Sequence, residues 1–250
     1  MKEIIYRPNR LAGLLFVATA FFFIHSVGSC KKEVEPPPPQ QPSDKRITSS
    51  YTEEFESVYA LLTDGGWTSK DYEKSGDLTS TPSSWGQGFA GMSKDGSWNG
   101  FTAYSWSPTT SYAHTSEFAY SYLDSISSQK STSSWMITPI LTVKNGDVIS
   151  FYTRGDTTGN YTDRLQVLMN KSTSTEVGNA LNSPGSFTTI MFDINANQVA
   201  GGFPTTWTKY EYTFSGLAGK TDTRVAFRHY LTNPANGRGV GIDLFRFIVK

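Results

Sequence analysis

The stretch RVAFRHYLTNPANGRGVGIDLFRFIVK, residues 224–250, reads as two strands separated by a turn-rich connection built from Asn233, Pro234, Asn236, Gly237 and Gly239. Successive side chains of a strand point to opposite faces, so Val225, Phe227 and Leu231 share one face with His229. In the second strand Ile242, Leu244 and Ile248 fall on one face, and Phe245, Phe247 and Val249 on the other. A strand that is apolar on both faces is covered on both, which places this one centrally in a sheet. Asp243 then enters an apolar strand as a carboxylate, and burying it requires a cation or a ring of hydrogen-bond donors.

Upstream, residues 47–223 are rich in Ser, Thr, Gly and aromatics, with strand-like runs separated by turn residues at the spacing of an all-β sandwich. The first run, residues 51–57, carries Glu53, Glu54 and Glu56 around Phe55; alternation puts Glu54 and Glu56 on one face and Glu53 on the other. A short helical turn is expected over residues 58–63, stopped by Asp64-Gly65-Gly66. Residues 71–84 read as a surface loop. Strands are expected over 85–92, 98–106 and 117–122, and another around Trp135-Met136-Ile137-Thr138-Pro139-Ile140. Asn145-Gly146 predicts a hairpin turn into a strand at 147–154. Runs at 164–170, 187–193 and 207–214 precede the closing pair.

At the amino terminus Lys2, Arg7 and Arg10 precede a small or apolar run over 11–24, and Ser26-Val27-Gly28-Ser29-Cys30 follows. A basic region, an apolar stretch too short to span a bilayer and small residues at its end predict a secretory signal over residues 1–29. The placement of Cys30 resembles the lipobox of bacterial lipoproteins, with Val27 where that pattern prefers leucine; an ordinary signal peptide cut nearby is the alternative. The resemblance implies lipidation of Cys30, export, and attachment to an outer membrane by the lipid alone, on its outer or periplasmic side. Residues 30–46, with prolines at 36 to 39, form an extended tether, and residues 47–250 form one domain. Cys30 is the single cysteine of the chain, so no disulfide is expected and packing holds the core. With 22 basic residues against 22 acidic and no basic cluster in the domain, nucleic acid is not an expected partner.

Three motifs occur together: Phe55-Glu56 before Gly65-Gly66-Trp67, then Ser134-Trp135-Met136-Ile137-Thr138-Pro139, then Val225-Ala226-Phe227-Arg228-His229-Tyr230 with Gly241-Ile242-Asp243. Their order and spacing resemble the cleaved-adhesin and choice-of-anchor J jelly-roll domains of Bacteroidetes-type surface proteins, over roughly residues 51–250. The resemblance implies an all-β, jelly-roll-like sandwich, related in shape to MAM domains and carbohydrate-binding modules. It also implies a structural calcium ion with Glu56 and Asp243 as its carboxylates. Many members carry a doubled aspartate where this chain has Ile242-Asp243, so one ligand of the pattern is missing. Calcium takes six to eight oxygens, a few from carboxylates and the rest from backbone carbonyls. The alternative is that Asp243 caps backbone amides or pairs with Arg224, Arg228 or Arg246.

Residues 98–122 interleave Trp98, Phe101, Tyr104, Trp106, Tyr112, Phe118, Tyr120 and Tyr122 with Ser, Thr and Asn. Rings beside hydroxyls suit sugar recognition, because a ring stacks on the apolar face of a pyranose while polar groups bond its rim. The same rings serve equally as core. Trp106 and Tyr112 flank the loop 107–111 and, with Trp98, are the candidate ligand-binding residues. His114 and His229 lack metal-type spacing, no Gly-x-Ser-x-Gly elbow occurs, and Gly237-x-Gly239-x-Gly241 precedes a strand, as a turn does. The Glu53, Glu54, Glu56 run lacks the facing carboxylate a glycosidase needs. The expected function is a non-catalytic binding or adhesion module for a glycan or an extracellular protein. A glycan hydrolase or lyase, and a structural surface-assembly component, are the alternatives.

Overall fold

Apolar strand faces can be buried only against a second layer, and the chain builds two. The computed structural model describes residues 44–73, 78–79, 85–88, 118–122, 131–156, 159–232 and 236–250. Cys30, the leader, the proline tether, the strand expected over 98–106, and Trp98, Trp106, Tyr112 and His114 lie outside the described residues. In chain order the elements are β1 Arg46–Ile47, β2 Tyr51–Glu53, α1 Val58–Thr63, β3 Thr68–Glu73, β4 Leu78–Thr79, β5 Trp85–Gly88, β6 Phe118–Tyr122, β7 Thr132–Ile137, β8 Ile140–Val143, β9 Val148–Gly155, β10 Leu165–Asn170, β11 Thr189–Ile194, β12 Thr208–Thr213, β13 Thr221–Leu231 and β14 Gly239–Ile248.

One sheet has the order β1-β8-β13-β7-β3-β4, with β10 and β11 continuing from β13. The other runs β12-β9-β14-β6-β5, with β2 also pairing with β14. The fold is an all-β, jelly-roll-like sandwich. Between the sheets Trp67, Met136, Leu141, Phe151, Val167, Val225, Phe227, Ile242, Phe245 and Phe247 form the main core. A second cluster, Trp135, Ile137, Leu168 and Ala226 with Val177 and Phe187, lies on the far side of the first sheet, where the 171–188 segment covers it. That cover explains why β13 is buried on both faces from Thr223 to Leu231. There Arg228 lies over Trp135 and Tyr230, 4.5 and 3.6 Å from the ring centroids, and donates to Ser133 Oγ, Gln166 Oε1 and the Leu181 carbonyl.

The helical turn forms where expected: Ser57 caps it, its Oγ accepting from the Ala60 amide at 3.2 Å, and Asp64 ends it. Other expectations change. The 71–84 stretch contains β4 and the end of β3. Asn145-Gly146 does make a turn, with Gly146 at φ 92°, but β8 and β9 belong to different sheets. The turn is therefore an arch across the sandwich, and Asn145 fixes it by bonding both the amide and the carbonyl of Leu217.

The largest correction concerns β14. It is central, and β2 pairs with it, so the first and last parts of the domain lie side by side. Its two faces, however, are not both apolar. Asp243 pairs with Tyr152 and Arg246 with Ser150, so β14 carries one extra residue between them, a β-bulge, and Leu244 takes a left-handed φ of 48°. The bulge shifts the alternation by one, and Val240, Ile242, Phe245 and Phe247 all enter the core, while Leu244 and Ile248 are half-buried and Arg246 is exposed.

Candidate functional site

The bulge aims Asp243 away from the core into a corner shared with the end of β2. The register of β2 against β14, Glu53 opposite Phe245, carries the chain past Asp243 as it leaves the strand. Strand alternation stops at Glu53, and Phe55 is left-handed at φ 54° with its ring wholly buried against Trp67. Two left-handed non-glycine residues, Phe55 and Leu244, thus flank one carboxylate, and such strain persists only where surrounding contacts fix it. Gln87 supplies part of that fixing, accepting from the Val58 amide at 2.7 Å and donating to the Phe55 carbonyl at 2.8 Å.

Asp243 is 5% exposed, and the donor it has is the Leu244 amide at 2.6 Å. Burial, and then the charges of Glu54, Glu56 and Glu53, push its carboxyl up to about 8. The arginines considered as partners are placed elsewhere. Arg224 donates to the Thr173 and Thr138 carbonyls, Arg228 is engaged with Ser133, Gln166 and Leu181, and Arg246 is exposed. Capping of an amide is therefore realised, but with one bond. Glu53 is held by the Tyr51 hydroxyl and the Phe55 amide, Glu54 is half-buried, and Glu56 is exposed. Glu54, Glu56 and Glu53 are near enough for their charges to act on Asp243, so the resemblance-derived pair Glu56 and Asp243 belongs to one electrostatic neighbourhood. Among the described residues, no three His, Cys, Asp or Glu side chains converge closely enough to hold an ion by themselves.

Asp243 shares its face with an aromatic bed. Phe118 and Tyr120 of β6 point away from the core that Ala119 enters, and with half-buried Trp207 they make a separate cluster. Phe118 meets Tyr120 and Trp207 edge to face, at 5.9 and 5.4 Å between centroids. Glycines let these rings lie against the sheet: a Cβ on Gly88 would come 2.4 Å from Phe118, one on Gly239 2.4 Å from the Tyr120 hydroxyl, and one on Gly241 3.1 Å from Trp207. The described Phe118 and Tyr120 of the expected aromatic run are thus buried, 1% and 4% exposed, but in a cluster separate from the main core. Sequence reasoning misses Trp207; its signal is the pair of glycines two residues apart at the start of β14, which marks a surface cleared for rings.

His229 is packed and hydrogen-bonded, as its place in the strand implies. Ser121 Oγ lies 2.9 Å from its Nδ1 and Asp163 Oδ1 lies 3.0 Å from its Nε2, with all three residues at most 1% exposed. The trio resembles a hydrolytic triad in composition, yet it is sealed between the sheets, joining β6 to β13. Asp163 also accepts from the Arg238 amide, at 3.0 and 3.2 Å. It is a strut that satisfies buried polar groups across the sandwich.

Fold and corner define a class: a jelly-roll-like sandwich with an acidic corner and an aromatic face on one sheet. No family model and no curated protein matches the chain. Among solved structures it is similar to the K1 cleaved adhesin domain of Lys-gingipain from Porphyromonas gingivalis, at TM-score 0.48 and 17% identity over 81% of this chain and 99% of that one. It is similar to a family 11 carbohydrate-binding module from Clostridium thermocellum, solved with a β-1,3-1,4-mixed-linked tetrasaccharide, at TM-score 0.36 and 13% identity over 81% and 96%. A glycoside hydrolase domain of Endo-D from Streptococcus pneumoniae gives TM-score 0.40 and 10% identity over 80% and 28%. Identities this low carry no residue-to-residue correspondence.

Proposed function

We propose that this chain is a non-catalytic binding module of the cleaved-adhesin or choice-of-anchor J type, which captures a glycan or an extracellular protein. The observation that carries the reading is Trp207, half-buried on the outer face of the second sheet and held against Phe118 and Tyr120, which are themselves buried and laid on Gly88, Gly239 and Gly241. A ring fixed by neighbours and open on part of its surface loses little freedom when a sugar stacks on it. Trp98, Trp106 and Tyr112 remain the proposed ligand-binding residues of the preceding segment. Calcium is proposed as a structural ion at the acidic corner, held by Asp243 and Glu56 with backbone carbonyls completing its shell.

A glycan array probed with wild type, Trp207→Ala and Trp106→Ala tests this. Stacking contributes on the order of 1 kcal/mol per ring beyond burial, so a variant lacking a platform ring should lose several-fold or more in affinity. If wild type retains no glycan, sugar recognition falls and a protein partner becomes the reading. The proposed setting is a lipoprotein held to an outer membrane through Cys30 by its proline tether. Cys30→Ala should then move the protein from the membrane fraction to the soluble one, and continued retention would overturn the anchor.

A further inference from the structure

Sheet edges invite pairing with another chain unless they are blunted by shortness, bulges or unpaired charge. Among the described strands most edges are blunted. β1 and β4 have two residues each, β2 has three and β5 has four. β11 has six but is interrupted, since its pairing with β10 skips Met191 between Phe192 and Ile190. β12, Thr-Lys-Tyr-Glu-Tyr-Thr over Thr208–Thr213, also has six residues and pairs with β9 in unbroken register. It contains no proline or glycine, and its threonines and tyrosines are strong strand formers. Among the described strands it is the long, regular edge of the second sheet.

Charge is what guards β12, and that charge is self-complementary. Lys209 and Glu211 lie on its outer face, 46% and 51% exposed at the side chain, with Lys209 Nζ 2.8 Å from Glu211 Oε2. The amide of Phe214 bonds back to the Asp147 carbonyl at 2.8 Å, so by alternation the even-numbered residues of β12 face β9. The amides and carbonyls of Lys209, Glu211 and Thr213 therefore point away from β9, along the edge. A second copy approaching antiparallel, about a two-fold axis normal to the sheet, must place outer-face residues opposite outer-face residues. Centred on Lys209, ammonium would face ammonium; centred on Glu211, carboxylate would face carboxylate. Centred on Tyr210, Lys209 meets Glu211 of the second copy and Glu211 meets its Lys209, in the pairs that exchange both backbone bonds.

We propose that β12 is a homodimerisation edge, joining two copies into one continuous sheet in the register that centres Tyr210 on the two-fold axis. The interface leaves the aromatic face and the acidic corner of each copy on the same side of the joined sheet, so a dimer would present two such faces together.

The test is sedimentation of the purified full chain, with circular dichroism to verify that each variant folds. Wild type should be a dimer at roughly 100 µM, an affinity range fitting an edge of this size. Lys209→Glu and Glu211→Lys each set like charges opposite one another twice, and each should weaken dimerisation at least about tenfold. The double swap, Lys209→Glu with Glu211→Lys, restores opposite charges across the axis and should restore the dimer. A monomeric wild type at that concentration would overturn the proposal. So would a dimer that either single reversal leaves intact, or a double swap that stays as weak as the single variants.

Discussion

Freed of divalent cations, the domain should lose stability steadily as pH rises from about 4 to about 8, and Asp243→Asn should remove that slope. The folded carboxyl of Asp243 is pushed up to about 8, first by burial and then by Glu54, Glu56 and Glu53. In the unfolded chain an aspartate titrates near about 3.9. Between those values the folded state binds the extra proton, so its stabilising effect is complete below the unfolded value and is lost as pH climbs through the folded one. A tenfold difference in proton affinity between the two states corresponds to about 1.4 kcal/mol, so the four powers of ten between about 3.9 and about 8 correspond to at most about 5–6 kcal/mol. Each kcal/mol moves the melting temperature of a domain this size by about 2–4 °C. Asp193, with burial opposed by its bonds to Arg164 and Gln166, is lowered, so its contribution is lost below about pH 4, outside this window. A cation at the corner would reverse the trend by holding the ionised form. Calcium at about a hundredfold over its dissociation constant would add about 2.7 kcal/mol to wild type and little to Asp243→Asn. Melting curves across pH, with chelator and with calcium, separate the cases. A slope without any calcium response sinks the ion and leaves a protonated buried acid; a flat cation-free profile for wild type sinks the raised carboxyl and leaves the ion to be decided by the calcium response.

A feature is legible in a sequence to the extent that it is local. The turn at α1 is legible because its Asp64-Gly65-Gly66 stop is adjacent to it in the chain. The burial of Val225, Phe227, His229 and Leu231 on one face follows from alternation alone. Alternation then fails in β14, because a single inserted residue shifts every later side chain to the other face, and Leu244 gives no warning of a left-handed backbone. Asn145-Gly146 announces a turn correctly, but whether a turn returns within a sheet or crosses to another is decided by the packing of β8 and β9. The Ser121–His229 contact spans 108 residues, and no spacing rule reaches that far. The acidic corner is half legible: Asp243 stands out as a misplaced charge, whereas the order in which Glu54, Glu56 and Glu53 act on it depends on the chain leaving β2 at Phe55.

Trp67→Ala should be the most damaging single change in the described core, and its damage should extend to the corner. Trp67 is 1% exposed and joins three parts of the molecule: Phe55 at 5.4 Å, Phe227 of β13 at 6.5 Å and Phe245 of β14 at 5.5 Å between ring centroids. Its indole N–H also reaches the Tyr51 hydroxyl at 3.4 Å, and that hydroxyl donates to Glu53. Truncation of a buried tryptophan costs about 3–5 kcal/mol through lost transfer energy and the cavity left behind. The melting temperature should therefore fall by roughly 6–20 °C. Trp67→Phe, which keeps a ring between the two sheets, should cost less. The left-handed Phe55 is held against this indole, so the cavity lets Phe55 relax and admits water toward Asp243. Desolvation is the first cause of the raised Asp243 carboxyl, and in Trp67→Ala the loss of stability between about pH 4 and about pH 8 should become shallower. Denaturant titrations of wild type and Trp67→Ala at both ends of that range measure the two effects together. A drop under about 1 kcal/mol would mean the site collapses around the smaller side chain. An unchanged pH slope beside a large drop would show that the corner is held by Gln87 and the bulge rather than by the Trp67 cluster.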